Sequence, residues 1–152
     1  MSSDKFYYKN VMDLAKRSVC HGRKVGVLIT DSAGAFLVEG WNTTLQHDTK
    51  CKDSCYKRSL GHQSGEGLDV CPAIHAEAKC IAVAAYRGVA TQGGTLYIST
   101  CIPCKSCLRL IILAGISEIV CAEDEFYDEE SRLIVAMNND RLTVRTFNLK
   151  EK

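Results

Sequence analysis

The sequence predicts an α/β layered domain, and three observations carry that prediction. Two short apolar, β-branched runs flank a turn, as in a hairpin. Beyond them strands alternate with helical patterns, the order that builds a layered α/β unit. Glycines punctuate where the elements should end, at "GG" 93–94 and at Gly115.

Each element follows in chain order. Tyr7, Val11, Leu14, Ala15 and Ser18 recur at helical spacing, which predicts an amphipathic helix over 4–19. "KVGVLIT" (24–30) and "AFLVEGW" (35–41) are the hairpin strands, joined by the turn residues "DSAG". Residues 43–71 are polar, rich in Gly, Ser, His and Cys, and show little periodicity. A loop of that length is functional or pinned by something. Ile74, Ala78, Ile81, Ala82 and Ala85 mark a helix over 73–87. "TLYIS" (95–99) is a strand, "CKSCLRLIILAG" (104–115) a helix, and "ISEIVCA" (116–122) a strand. A helix over 127–138 and a strand over 141–147 complete the pattern, which reads as one domain across residues 1–152.

Composition narrows the function. The chain has 152 residues, the size of one domain, and a net charge of +1. That charge advertises no polynucleotide partner, and no apolar run is long enough to span a membrane. The start "MSSDKFYYKNVMDLAKR" lacks a signal-peptide pattern. Nine cysteines without an export signal suggest a reducing compartment, the cytoplasm, and thiols that bind metal or act chemically.

"CPAIHAEAKC" (71–80) and "PCKSC" (103–107) hold the chemistry. Cys104 and Cys107 are i, i+3 at a helix start, where backbone N–H groups favour thiolates. His75, at the start of the other helix, adds an imidazole. Three N/S ligands suit zinc and leave its fourth tetrahedral position for water, the mark of a catalytic site. Glu77 lies in the same turn as His75, able to reach that water without binding the metal. Zinc brings a bound water's pKa to about 7, and a neighbouring carboxylate can shuttle its proton to a ring nitrogen and a leaving amine. H-x-E alone carries no weight, and P-C-x-x-C alone fits a redox motif or a structural zinc. Together, in this order, they are the recognised signature of zinc nucleobase deaminases.

Here the chain resembles the cytidine/deoxycytidylate deaminase superfamily, and most the dCMP deaminase branch. "LAKRSVCHGRKVGVLITDSAGAFLVEGWN", "CPAIHAEAKCIA" and "TLYISTCIPCKSCLRLIILAGISEIV" carry the likeness, over about residues 11–147. The resemblance implies a three-layer α/β/α cytidine-deaminase-like fold with a five-stranded mixed sheet. It implies His75, Cys104 and Cys107 as zinc ligands and Glu77 as proton shuttle. Asn42 is then expected at the sugar or base, the Ala76 amide at the base carbonyl, and Ser18 and Arg23 near the phosphate. Tyr127 is expected to close over the ligand. Homo-hexamers, and control by nucleoside triphosphates with Mg²⁺, belong to the same resemblance. Three positions depart from the family pattern: Lys79 replaces an Asn, "GWNTT" replaces G-Y-N-G, and Cys101, expected as a bystander, precedes "IPC".

Cys51, Cys55 and Cys71 resemble the ligands of an extra structural zinc in some dCMP deaminases, with His62 as fourth ligand and His47 as rival. Cys20, Cys80 and Cys121 read as small buried hydrophobes. The expected reaction is zinc-dependent hydrolysis of dCMP to dUMP, supplying thymidylate precursors. Its rivals are dCTP or another cytosine nucleotide or nucleoside as substrate, or an inactive zinc nucleotide-binding protein. The presence of Glu77 argues against the inactive form.

Overall fold

The computed structural model describes residues 3–63 and 65–150. Its core is a five-stranded mixed sheet in the order β2-β1-β3-β4-β5. β1 (Gly26–Thr30) pairs antiparallel with β2 (Phe36–Trp41) and with β3 (Thr95–Ile98). β4 (Glu118–Cys121) runs parallel to β3, and β5 (Thr143–Thr146) parallel to β4. The helices are α1 (Ser3–Ala15), α2 (Tyr56–Ser59), α3 (Ala76–Tyr86), α4 (Lys105–Leu113) and α5 (Glu129–Met137).

Strand alternation divides the core into two layers. Leu28, Tyr97 and Val120 turn to one face and pack with Val11 and Leu14 of α1 and with Phe147. Their neighbours Val27, Ile29, Leu96, Ile98, Ile119 and Cys121 turn to the other face, against Ala76, Cys80 and Ala84 of α3 and Leu108 and Ile111 of α4. A period of two along each strand therefore gives helices on both faces, the predicted α/β/α layering. Gly26 shows how closely α1 sits: a Cβ there would lie 2.1 Å from the Val11 carbonyl oxygen. Gly115 takes φ +75°, the left-handed turn just past α4 that glycine adopts without strain.

Some boundaries differ from expectation. α1 ends at Ala15 rather than 19, because the Arg17 and Ser18 amides turn back onto the Leu14 and Ala15 carbonyls at 3.0 and 3.1 Å. α3 starts at Ala76 rather than 73, because Ile74 forms an isolated bridge to Thr43. α5 starts at Glu129, so Tyr127 precedes the helix instead of opening it. The 43–71 segment contains one helical turn, α2. Among the described residues, no helix is long and apolar enough to cross a membrane.

Candidate active site

His75 and Cys104 are the N-cap residues of α3 and α4. Both have extended backbones, and neither side chain makes the usual capping hydrogen bond. Two long-range ties hold them there. Thr43 and Ile74 exchange backbone hydrogen bonds of 3.1 and 2.6 Å just before His75. Ile102 bridges Phe126 just before Cys104. Asp128 then supplies the acceptors that the caps lack on the α4 side: it accepts from the Lys105 amide at 3.1 Å and from the Ser131 amide of α5 at 2.7 Å. The two ligand-bearing caps stay free to point into the space between the helix starts.

There the donor atoms converge. His75 Nδ1 lies 3.6 Å from Cys104 Sγ and 3.5 Å from Cys107 Sγ. Among the described residues these three form the one group whose ligand atoms all lie within 4.8 Å of one another. Hydrogen bonds from the Cys107 thiol and then the His75 imidazole hold Cys104 down at about 4, against the opposing effect of burial. Cys107 is pushed up by the same shared proton and by burial. The hydrogen bond to Cys104 raises His75. One proton shared between two sulfurs beside an imidazole is a set that a soft divalent cation displaces readily. The residues therefore fit zinc by donor chemistry as well as by spacing.

Glu77 stands in the first turn of α3, 5% exposed. Burial is the main cause that raises its pKa above the ordinary carboxylate value. A carboxyl that is costly to ionise and sits beside a metal site is suited to carrying a proton.

A single pocket collects most of the expected residues: His75, Ala76, Glu77, Cys104, Asn42 and Tyr127 all line it, as does Arg23. Asn42 is committed to the chain as well. Its Oδ1 accepts from the Val25 amide at 2.8 Å and its Nδ2 donates to the Arg23 carbonyl at 2.8 Å. Ser18 departs from expectation. It is 3% exposed and absent from the pocket wall, and its hydroxyl donates to the Asn42 carbonyl at 2.8 Å while accepting from the Cys20 amide. Its position explains the difference: it follows the end of α1 and pins the Asn42 turn. Arg23 reaches the wall already paired with Glu123 at 2.6 Å and with Cys101 Sγ at 3.3 Å. Cys101 is therefore an acceptor in the wall rather than a bystander.

The four residues expected at a second metal form no group as tight as the first among the described residues. Cys51, Cys55 and Cys71 reach the pocket wall, but they form no cluster like the first. The His62 amide bonds the Lys57 carbonyl, and its ring packs over Gly67. His47 sits on the separate 45–50 turn. Cys80 and Cys121 are buried, as expected. Cys20 is half-buried and lines the pocket instead. Lys57 and Arg58 also line it, unforeseen. The signal for them was the adjacent basic pair in "CYKRS", inside a segment already marked as functional.

Comparison with known proteins follows the same lines. A family model of the cytidine and deoxycytidylate deaminase zinc-binding region matches residues 1–123. Deoxycytidylate deaminase of Saccharomyces cerevisiae is 34% identical over 151 residues, covering 99% of this chain and 46% of the relative. ComE operon protein 2 of Bacillus subtilis is 32% identical over 111 residues, 73% of this chain and 54% of that protein. The chain thus spans about half the length of these curated relatives. The dCMP deaminase of cyanophage S-TIM5, crystallised with dCMP and dUMP, superposes with a TM-score of 0.73 at 21% identity, covering 96% of this chain and 98% of that one. At that identity the likeness is one of fold. With a zinc-binding donor set at two helix starts and a family model matched over most of its length, the chain belongs to the cytidine and deoxycytidylate deaminase family.

Proposed function

We propose that the protein is a zinc-dependent hydrolytic deaminase that converts dCMP to dUMP. The observation that carries the reading is the buried Glu77 carboxyl in the same turn as His75 of a preassembled His75–Cys104–Cys107 donor triangle. The substrate class rests on the deoxycytidylate deaminase relatives. His75, Cys104 and Cys107 hold the zinc. When bound, it supplies a Lewis acid with an open position and makes water nucleophilic near neutral pH.

The chain's own groups do the rest. Glu77 takes a proton from the attacking water and passes it to N3 of the cytosine ring. It delivers the next proton to the exocyclic amine, so that the C4–N bond breaks, ammonia leaves and a carbonyl remains. The Ala76 amide belongs to the first turn of α3, where helix geometry leaves N–H groups without partners inside the helix. That donor is suited to the base carbonyl. Asn42 fixes the pocket wall and presents its remaining amide valence to the sugar, with Ser18 holding the Asn42 turn. Arg23 meets the phosphate by exchanging Glu123 for it, and Tyr127 covers the mouth.

Further properties come with the proposal: one deaminase domain, a small-molecule nucleotide substrate, a homo-hexameric assembly, control by triphosphates carrying Mg²⁺, and residence in the cytoplasm, where nine free thiols persist.

The test is ultraviolet loss of the cytosine chromophore on zinc-loaded protein, with deoxycytidine, dCMP, dCTP and CMP as substrates. Turnover of dCMP above the rest is expected. Glu77→Gln is expected to lower kcat by roughly 10²- to 10⁴-fold with zinc content unchanged. A Glu77→Gln protein of wild-type activity overturns the mechanism.

A further inference from the structure

We infer that Arg58, on the helical turn α2, reads the 5′-phosphate and makes the site prefer a nucleotide over a nucleoside. The inference rests on the deaminase reading above and deepens it.

The argument is one of charge. Among the described residues that line the pocket, Glu77 is the only carboxylate, whereas Arg23, Lys57 and Arg58 bring three fixed cations. A cleft of one sign gathers substrates of the other. The three cations are not equally free. Arg23 is matched by Glu123 at 2.6 Å. The Lys57 ammonium donates to the Gln63 and Glu66 carbonyls at 3.2 and 2.9 Å, so it is spent on closing the segment. Arg58 makes no ion pair among the described residues. Its Nη1 approaches the His21 carbonyl at 3.5 Å, at the limit of a hydrogen bond.

The backbone beneath Arg58 is nevertheless well held. The Gly61 amide bonds its carbonyl at 2.9 Å, and the His62 amide bonds the Lys57 carbonyl at 3.2 Å. The guanidinium is thus carried on a pinned turn and reaches across to the 20–23 strip on the opposite lip. A planar fork with open donors matches phosphate oxygens two at a time. A phosphate there replaces one long neutral contact with charge-assisted bonds, whereas Arg23 joins it only by giving up Glu123.

The experiment compares wild type with Arg58→Gln, Arg58→Lys and Lys52→Gln, an exposed position of the same segment outside the pocket. Arg58→Gln is expected to raise KM for dCMP roughly 10- to 100-fold, the value of a lost charge-assisted contact. Its kcat, and kcat/KM for deoxycytidine, stay within about twofold of wild type. Arg58→Lys keeps the charge without the fork and falls between, and Lys52→Gln is unchanged. Calorimetry with the product supplies a readout independent of turnover: Arg58→Gln weakens dUMP binding by the same factor and leaves deoxyuridine binding unaltered. An unchanged KM for dCMP, or an equal loss for dCMP and deoxycytidine, overturns the inference and leaves the deaminase reading standing. If wild type turns over no cytosine substrate, the deaminase reading falls, and the dUMP and deoxyuridine titrations alone decide Arg58.

Discussion

Cys104 and Cys107 stand at the start of a helix packed between the sheet and its neighbours, while Cys51, Cys55 and Cys71 stand in a segment whose regular structure is one turn of helix. Cys104 lines the same pocket as Cys51, Cys55 and Cys71. The first set meets His75 with all ligand atoms within 4.8 Å of one another; the second forms no such group among the described residues. What separates them is the rigidity beneath the side chains. Leu108 and Ile111 are fully buried on the same helix that carries Cys107, and Ala76 and Ala84 on the helix that His75 caps. The hydrophobic core therefore meets the entropy of ordering the first donor set before any ligand arrives. In the 43–71 segment the backbone is held by hydrogen bonds such as those from Lys57.

The strongest way to break this comparison is to remove one sulfur from the rigid set. Cys104→Ala should abolish zinc-dependent turnover and weaken zinc by more than roughly 100-fold, since even outer-shell partners of a metal are worth 10 to 100. Metal analysis after dialysis measures the loss. Far-UV circular dichroism should stay unchanged, because the core around Leu108 and Ile111 does not use that sulfur. Unfolding of the Cys104→Ala protein would mean that the metal organises the frame, and not the reverse.

The frame and the first donor set were legible in the sequence because both are local patterns. Short apolar, β-branched runs placed the strands, helical spacing and glycine stops placed the long helices, and H-x-E with P-C-x-x-C marked the helix starts. What stayed hidden depends on contacts between distant residues. Nothing near Ser18 announces that its hydroxyl reaches Asn42, or that this contact accompanies the early end of α1. Nothing near Arg23 announces Glu123, a hundred positions away. His62 is a candidate ligand because it lies inside the loop, and nothing near it announces that its ring lies on Gly67. Arg58 was marked only by the basic pair in "CYKRS", because an aperiodic segment does not tell which side chains reach a pocket.

A second intervention weakens the frame far from either set of thiols. Asp4 of α1 accepts from Arg145 at 2.7 and 3.2 Å and from the Asn148 amide at 2.7 Å, and so ties the first helix to β5. Burial opposes its ionisation, but these bonds outweigh it and hold the carboxyl below its ordinary 3.8. A depressed carboxylate stabilises the fold above its unfolded pKa, and that stability disappears as pH falls through the folded value. The wild type should therefore lose this contribution below about pH 4. Arg145 is part-exposed, so the bonds are worth about 2 kcal/mol rather than the value of a fully buried pair. Asp4→Asn should lower Tm by roughly 4–8 °C near neutral pH and flatten the acid limb of the stability curve. Zinc content of the folded protein should not change.

The smallest effect belongs to the half-buried thiols of the adaptable segment. Cys51 and Cys71 are part-exposed and belong to no group of three ligand atoms as close as His75, Cys104 and Cys107 among the described residues. The Cys51→Ser, Cys71→Ser double variant should lose less than about 1 kcal/mol and bind zinc as wild type does, one ion per chain. A wild-type stoichiometry of two that falls to one in the variant would reverse the comparison. The segment would then take its shape from an ion, whose binding energy would be its folding energy. Arg58, carried in the same segment, would become dependent on that ion as well. In that case chelation gentle enough to spare the His75–Cys104–Cys107 site should raise KM for dCMP as Arg58→Gln does. With one ion per chain, no such intermediate stage of chelation exists: activity and zinc disappear together, and dUMP affinity keeps its dependence on Arg58.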